Sequence, residues 1–152
     1  MIGLEKPSLN MSTVILQALL SSQYVLATKV RNFHWNVKGP QFMMYHELFG
    51  KLYTELNDQA DEIAERIRQV NGTPNGTLKS LLADSFLKEA ETAPNAQTMV
   101  KDLIDDYDRM VVEMRISIPK AEEAKDFGTM DLITKWMEVH EKHLYFLRSH
   151  VG

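Results

Sequence analysis

The chain contains no cysteine. That absence removes thiolate metal sites, redox-thiol chemistry and a disulfide framework together, and it fits a reducing compartment. Glycine and proline are scarce, at seven and five residues, and they cluster at a few points, which favours long uninterrupted helices. No apolar run is long enough to span a bilayer, and the opening MIGLEKPSLN holds no apolar signal core. A soluble cytoplasmic protein without a membrane partner is therefore expected. Neither sign of charge dominates: 17 Lys and Arg against 21 Asp and Glu leave a net charge of −4, which argues against nucleic acid as the main partner. Low-complexity segments and internal repeats are also missing. What remains is one domain over 1–152. A chain of this size buries roughly 68–70% of its unfolded surface, so it folds without a disulfide or structural metal.

Apolar periodicity places four long helices. Residues 1–9 read as a short flexible lead-in, with Asn10 or Ser12 as cap of the first helix. Ile15, Leu19, Leu26, Val30 and Phe33 recur at helical spacing along it, and Gly39-Pro40 stops the pattern. The second helix is expected from about Phe42 to Val70, with Leu48, Leu52, Leu56, Ile63, Ile67 and Val70 on one stripe and Asn71-Gly72 as its stop. Residues 72–96 form a connector too long for an ordinary bundle loop. Leu78, Leu81 and Leu82, with Phe86 and Leu87 as further candidates, mark a short helix inside it. A connector of this length lets helices two and three run parallel. The third helix starts after Pro94 with Asn95 as cap, buries Met99, Leu103, Met110, Met114 and Ile118, and is expected to kink rather than end at Pro119. The fourth runs from Phe127 or Thr129 to Ser149, with Ile133, Trp136, Met137, His140, Leu144 and Leu147 inward. The fold class expected is all-α: a four-helix bundle with a short extra helix in the long connection between helices two and three.

The chemistry concentrates around Asn32–Phe42, NFHWNVKGPQF. His34 lies near the end of the first helix and His46 near the start of the second. Asp61 and Glu65 stand one turn apart further along, about 6 Å apart axially, and roughly 160–200° from the apolar stripe of their own helix. His46 and Asp61 are about 22 Å apart along the axis, a gap no single ion bridges. A site using both must take the histidine end from one chain and the carboxylates from another, as a two-fold axis running the second helix against its own copy does. Imidazole with carboxylate suits iron, zinc or manganese. One more absence matters here: no histidine has a glutamate three residues before it, so the Glu-x-x-His pairs of di-iron cores within one bundle are not present. His140 and His143 read as packing or solvent-facing groups, and His150 is terminal. The methionines read as core filler rather than a copper site. Trp35, beside His34, packs or offers an oxidisable ring near bound iron.

Asn32–Gly39, HELFGKLYTEL (His46–Leu56) and DQADEIAERI (Asp58–Ile67), with the spacing His–x11–His–x14–Asp–x3–Glu, resemble the Dps family of mini-ferritins, and the resemblance covers essentially the whole chain. It implies a ferritin-like bundle assembled into a hollow homododecamer near 210 kDa, through two-fold dimers of a 17.5 kDa chain. It implies a ferroxidase that oxidises Fe(II), preferably with hydrogen peroxide, and stores the ferric product. His34 and His46 then come from one subunit, and Asp61 and Glu65 from its partner. Many members carry an aspartate one turn after the second histidine, where this chain has Gly50. Glu47 points about 60° or more away on the wheel, so one firm and one labile iron position per site are expected. Members that coat DNA often carry a lysine-rich tail. This chain has only Lys6 in its lead-in, and twelve copies carry about −48, which repels phosphate. DNA coating with incidental metal binding stands as the alternative, and a zinc-binding shell without turnover as a third. For iron entry, Asp126 and Asp131 at the turn into the last helix are the candidate pore residues, ahead of Glu122 and Glu123. Capping by Asp126 is the competing explanation.

Overall fold

The computed structural model describes residues 2–152 and consists, over them, of five helices without a strand. They are α1 (Lys6–Asn36), α2 (Phe42–Gln69), α3 (Leu78–Asp84), α4 (Ala96–Glu123) and α5 (Phe127–Val151). The start of α1 corrects the expected lead-in. The helix begins at Lys6 with Pro7 in its first turn, where proline's missing N–H costs nothing. Asn10 and Ser12 are thus interior residues, and Met1 lies outside the described residues. Ser12 does not cap; it is buried and donates to Asp126 Oδ2 at 2.6 Å.

The other ends follow local chemistry. Val37 N–H closes α1 on Phe33, and Gly39 turns the chain at φ 120°, a conformation glycine adopts without a Cβ clash. At the end of α2, Asn71 takes a left-handed φ of 63°. Asn71 N–H bonds the Arg68 carbonyl and Gly72 N–H bonds the Ile67 carbonyl, the paired bonds of a Schellman stop. Gly72 is required by crowding, since a Cβ there would lie 2.6 Å from Thr13 Oγ1. Thr77, Asn95 and Asp126 cap α3, α4 and α5, each side chain accepting from the N–H three residues on. α4 continues through Pro119 to Glu123, so proline does not end it. Phe86 and Leu87 lie beyond α3 in non-helical chain, held there by the Phe86 N–H bond to Ser22 Oγ.

α1 pairs with α2 and α4 with α5 along their lengths, and α1 packs on α4. Gln23 meets Gln59 while His34 meets His46, so α1 and α2 are antiparallel. Lys29–Asp106 and Ser12–Asp126 set α1 antiparallel to α4. α2 and α4 therefore run parallel, as the long connector allows. The core holds Trp136, Tyr107, Phe33, Phe49 and an aliphatic shell, each large apolar side chain contributing about 1.5–3 kcal/mol on burial. Tyr45 and Phe49 carry the first turns of α2 into it, and Leu48 packs half-buried against it. Met99, Met110, Met114 and Met137 are core, but Met11, Met43 and Met44 are exposed, which corrects the expectation that the methionines fill the core.

Candidate metal site at the first helix corner

The five residues between α1 and α2 bring the last turn of one helix against the first turns of the next. His34 and His46 stack there, ring centroids 3.8 Å apart and 18° from parallel. His34 Nδ1 bonds the His46 carbonyl at 2.6 Å, and His46 Nδ1 bonds the His34 carbonyl at 2.9 Å. A carbonyl only accepts, so each Nδ1 carries the hydrogen. In the neutral ring that leaves the Nε2 lone pair open, the usual way a second partner orients a metal-binding histidine. Among the described residues neither Nε2 has a hydrogen-bond partner. Gly50 lies beneath His34: a Cβ there would meet the ring at 3.1–3.2 Å, closer than comfortable contact. Gly50, one turn after His46, is thus the floor on which His34 rests. Phe42 flanks His46 at 5.1 Å, and Tyr53 meets His34 edge-on at 5.3 Å.

Asp61 and Glu65 are exposed on the far half of α2, and among the described residues no ion pair neutralises either. The chain alone does not join them to the histidines: among the described residues, no three His, Asp or Glu side chains converge on one point within a single copy. Glu65 instead lines a cleft of about 240 Å³ with Glu62, Arg66, Gln69, Gly128, Asp131 and Leu132.

The two candidate pore residues part company. Asp131 is exposed in that cleft. Asp126 is 2% exposed and receives Ser12, Arg66, and both the N–H and hydroxyl of Thr129. Burial opposes its charge, but the bonds from Ser12, Thr129 and Arg66 outweigh that and hold its carboxyl below the usual range. It is a cap and a buried ion-pair partner, with no oxygen left to face a pore. Glu122 and Glu123 are exposed. Trp35 is 66% exposed, with the Arg31 guanidinium 5.2 Å over its ring. His140 is fully buried, its Nδ1 on the Trp136 carbonyl and its Nε2 on the Gln23 amide, and burial pulls its pKa down to about 4. His143 pairs with Glu55. Reasoning from sequence missed Tyr53, although its spacing of seven from His46 puts both on one helix face.

A family model for the ferritin-like domain matches residues 14–152. The DNA protection during starvation protein 2 of Bacillus anthracis is 41% identical over 135 residues, 89% of this chain and 92% of that one. The chain belongs to the Dps family. A second Dps relative, the DNA protection during starvation protein of Brevibacillus brevis, is 36% identical across 90% of this chain and 91% of its own. The crystal structure of a Dps protein from Bacillus brevis superposes with a TM-score of 0.94 at 33% identity, covering 97% and 99% of the two chains. That of Vibrio cholerae Dps, described as a member of a broad superfamily of ferritin-like diiron-carboxylate proteins, reaches 0.96 at 26% identity over 100% and 96%. The ferritin-like bundle with an extra short helix is the Dps fold. No helix among the described residues is long and apolar enough to cross a membrane.

Proposed function

We propose that this Dps-family chain is a ferroxidase that oxidises Fe(II) at sites shared between two subunits and stores the ferric product. One observation carries the reading: two donor sets with open atoms stand at opposite ends of one 28-residue helix. A second copy of α2 running antiparallel brings the His34–His46 end of one chain to the Asp61–Glu65 half of the other, giving two equal sites. Two neutral nitrogens and two carboxylates fit iron, and the carboxylates favour Fe(III) over Fe(II). Asp61, Glu65 and His34 hold the first ion. His46 serves the second position, which Gly50 leaves labile. Hydrogen peroxide is the oxidant: its O–O bond breaks as each of two Fe(II) ions gives one electron, and no hydroxyl radical is freed.

The shell is a cytoplasmic homododecamer whose cavity takes the mineral, and Asp131 lies on the route of incoming Fe(II) through the cleft it shares with Glu65. The relatives' names speak of DNA protection. Removing Fe(II) and peroxide together protects DNA without contact, and a negatively charged chain disfavours contact. The test mixes an inactive His34→Ala, His46→Ala double variant with an inactive Asp61→Ala, Glu65→Ala double variant. In a mixed dimer one site inherits both defects and the other is wild type, so co-assembled shells recover part of the activity. No recovery, with mixed dimers verified by mass analysis, would sink the shared site.

A further inference from the structure

Three features of the corner concern electrons rather than ligands. First, Tyr53 is half-buried, and its ring touches His34 edge-on. It occupies the α2 face that carries His46 and Gly50, with no side chain at Gly50 to part it from His34. Second, Trp35 is a poorer electron donor than its place in the sequence implies. Its ring is capped by Arg31, which makes no ion pair among the described residues and whose buried Nε has no hydrogen-bond partner. An uncompensated cation over a π-face is attracted to the electron-rich ring and resists removal of an electron from it. No cation lies over Tyr53 among the described residues. Third, Gly50 supplies no carboxylate to the proposed second metal position; a site with only its first position filled holds one Fe(II), which has one electron to give to a peroxide that takes two.

We infer that Tyr53 supplies the missing electron when a single Fe(II) meets peroxide. The inference rests on the shared-site ferroxidase reading. In the step, the O–O bond breaks, Fe(II) becomes Fe(III), and the Tyr53 phenol loses an electron and a proton to become a neutral phenoxyl radical. The phenolic proton leaves with one peroxide oxygen as water, and the other oxygen leaves as hydroxide. A later Fe(II) returns one electron, and a proton from solvent restores the phenol as that ion becomes Fe(III). Over the cycle two Fe(II) are consumed per peroxide, as at a fully loaded site. Tyr53 is thus a reversible one-electron store that lets a weakened site complete two-electron chemistry.

The experiment uses the assembled protein, loaded without oxygen with one Fe(II) per chain, given one equivalent of hydrogen peroxide and freeze-quenched for electron paramagnetic resonance. Wild type gives a tyrosyl signal. Tyr53→Phe, which keeps the ring and its packing, loses it and releases several-fold more hydroxyl radical to a spin trap. Trp35→Phe keeps the tyrosyl signal, and Arg31→Gln moves part of the radical to the indole. A tyrosyl signal undiminished in Tyr53→Phe, or abolished in Trp35→Phe, overturns the assignment. Iron oxidation with no protein radical overturns it too, and leaves the shared-site reading standing. Oxidation that proceeds unchanged in Asp61→Ala removes both.

Discussion

Two groups of histidines in this molecule start from the same local bond and end in different chemistry. At the corner, His34 and His46 each give Nδ1–H to a carbonyl and keep Nε2 open beside solvent. In the core, His140 also binds a carbonyl through Nδ1, but its Nε2 is occupied by Gln23, itself bonded to Gln59, and the ring is fully buried. The bond that orients the ring is common to both. What separates a ligand from a strut is whether the second nitrogen is left without a partner, and whether a charge is tolerated where it stands. The carboxylates repeat the contrast: Asp61 and Glu65 are open, while Asp126 is saturated by its neighbours.

The sharpest way to break this contrast is to remove the open groups and measure iron. Asp61→Ala or Glu65→Ala should abolish tight binding of the first Fe(II) in anaerobic calorimetry, exceeding the roughly 100-fold cost of losing an outer-shell partner. His46→Ala should retain that affinity and slow peroxide turnover. His140→Gln should alter neither. Iron affinity that survives loss of both carboxylates would mean the open groups are not the ligands.

Removing a saturated group should move stability instead. Asp126→Ala leaves Arg66 and the first turn of α5 without their partner, and loss of one member of a buried pair costs about 3–5 kcal/mol. Asp131→Asn, exposed in its cleft, should stay within about 0.5 kcal/mol. Denaturant unfolding at fixed protein concentration separates the two. Because the folded carboxyl of Asp126 titrates below its ordinary range, its contribution is complete above the unfolded value and fades as pH falls through the folded one. Equal midpoints for Asp126→Ala and wild type would mean that the network around this carboxylate is not stabilising.

The smallest effect sharpens the account of His140. The unfolded chain protonates this residue near pH 6.5, and the folded chain only near 4. Stability therefore falls as pH drops through that window, by roughly 3 kcal/mol in total. His140→Gln should lack this component of the slope, so the gap between variant and wild type should change by that amount between pH 7 and 4. A constant gap would show that the ring titrates alike in the folded and the unfolded chain.

Much of the fold is legible in the sequence because helical spacing repeats over many turns and the stops are chemically marked: Gly39-Pro40, Asn71-Gly72 and the Asn95 cap all act where their chemistry requires. The start of α1 was harder, since Pro7 is compatible with a first turn and draws no boundary of its own. Leu48 and Phe49 both fit an apolar stripe; packing against Phe33 decides for Phe49. The four proposed donors stand out by their spacing, but the reciprocal Nδ1 bonds and the contact of Tyr53 with His34 depend on how the corner closes. Asp126 misleads in sequence because its carboxylate is claimed by Ser12, 114 residues away, as well as by the helix it begins.

The length of α2 has one more consequence. The rod that parts the histidines from the carboxylates in one chain also sets the spacing between the two sites of an antiparallel pair, about 22 Å. Screening in physiological salt acts over about 8 Å. Charge arriving at one site is therefore almost invisible at the other. On the proposed shared-site reading, the two sites of such a dimer would fill as uncoupled units, in proportion to the Fe(II) supplied and without a threshold.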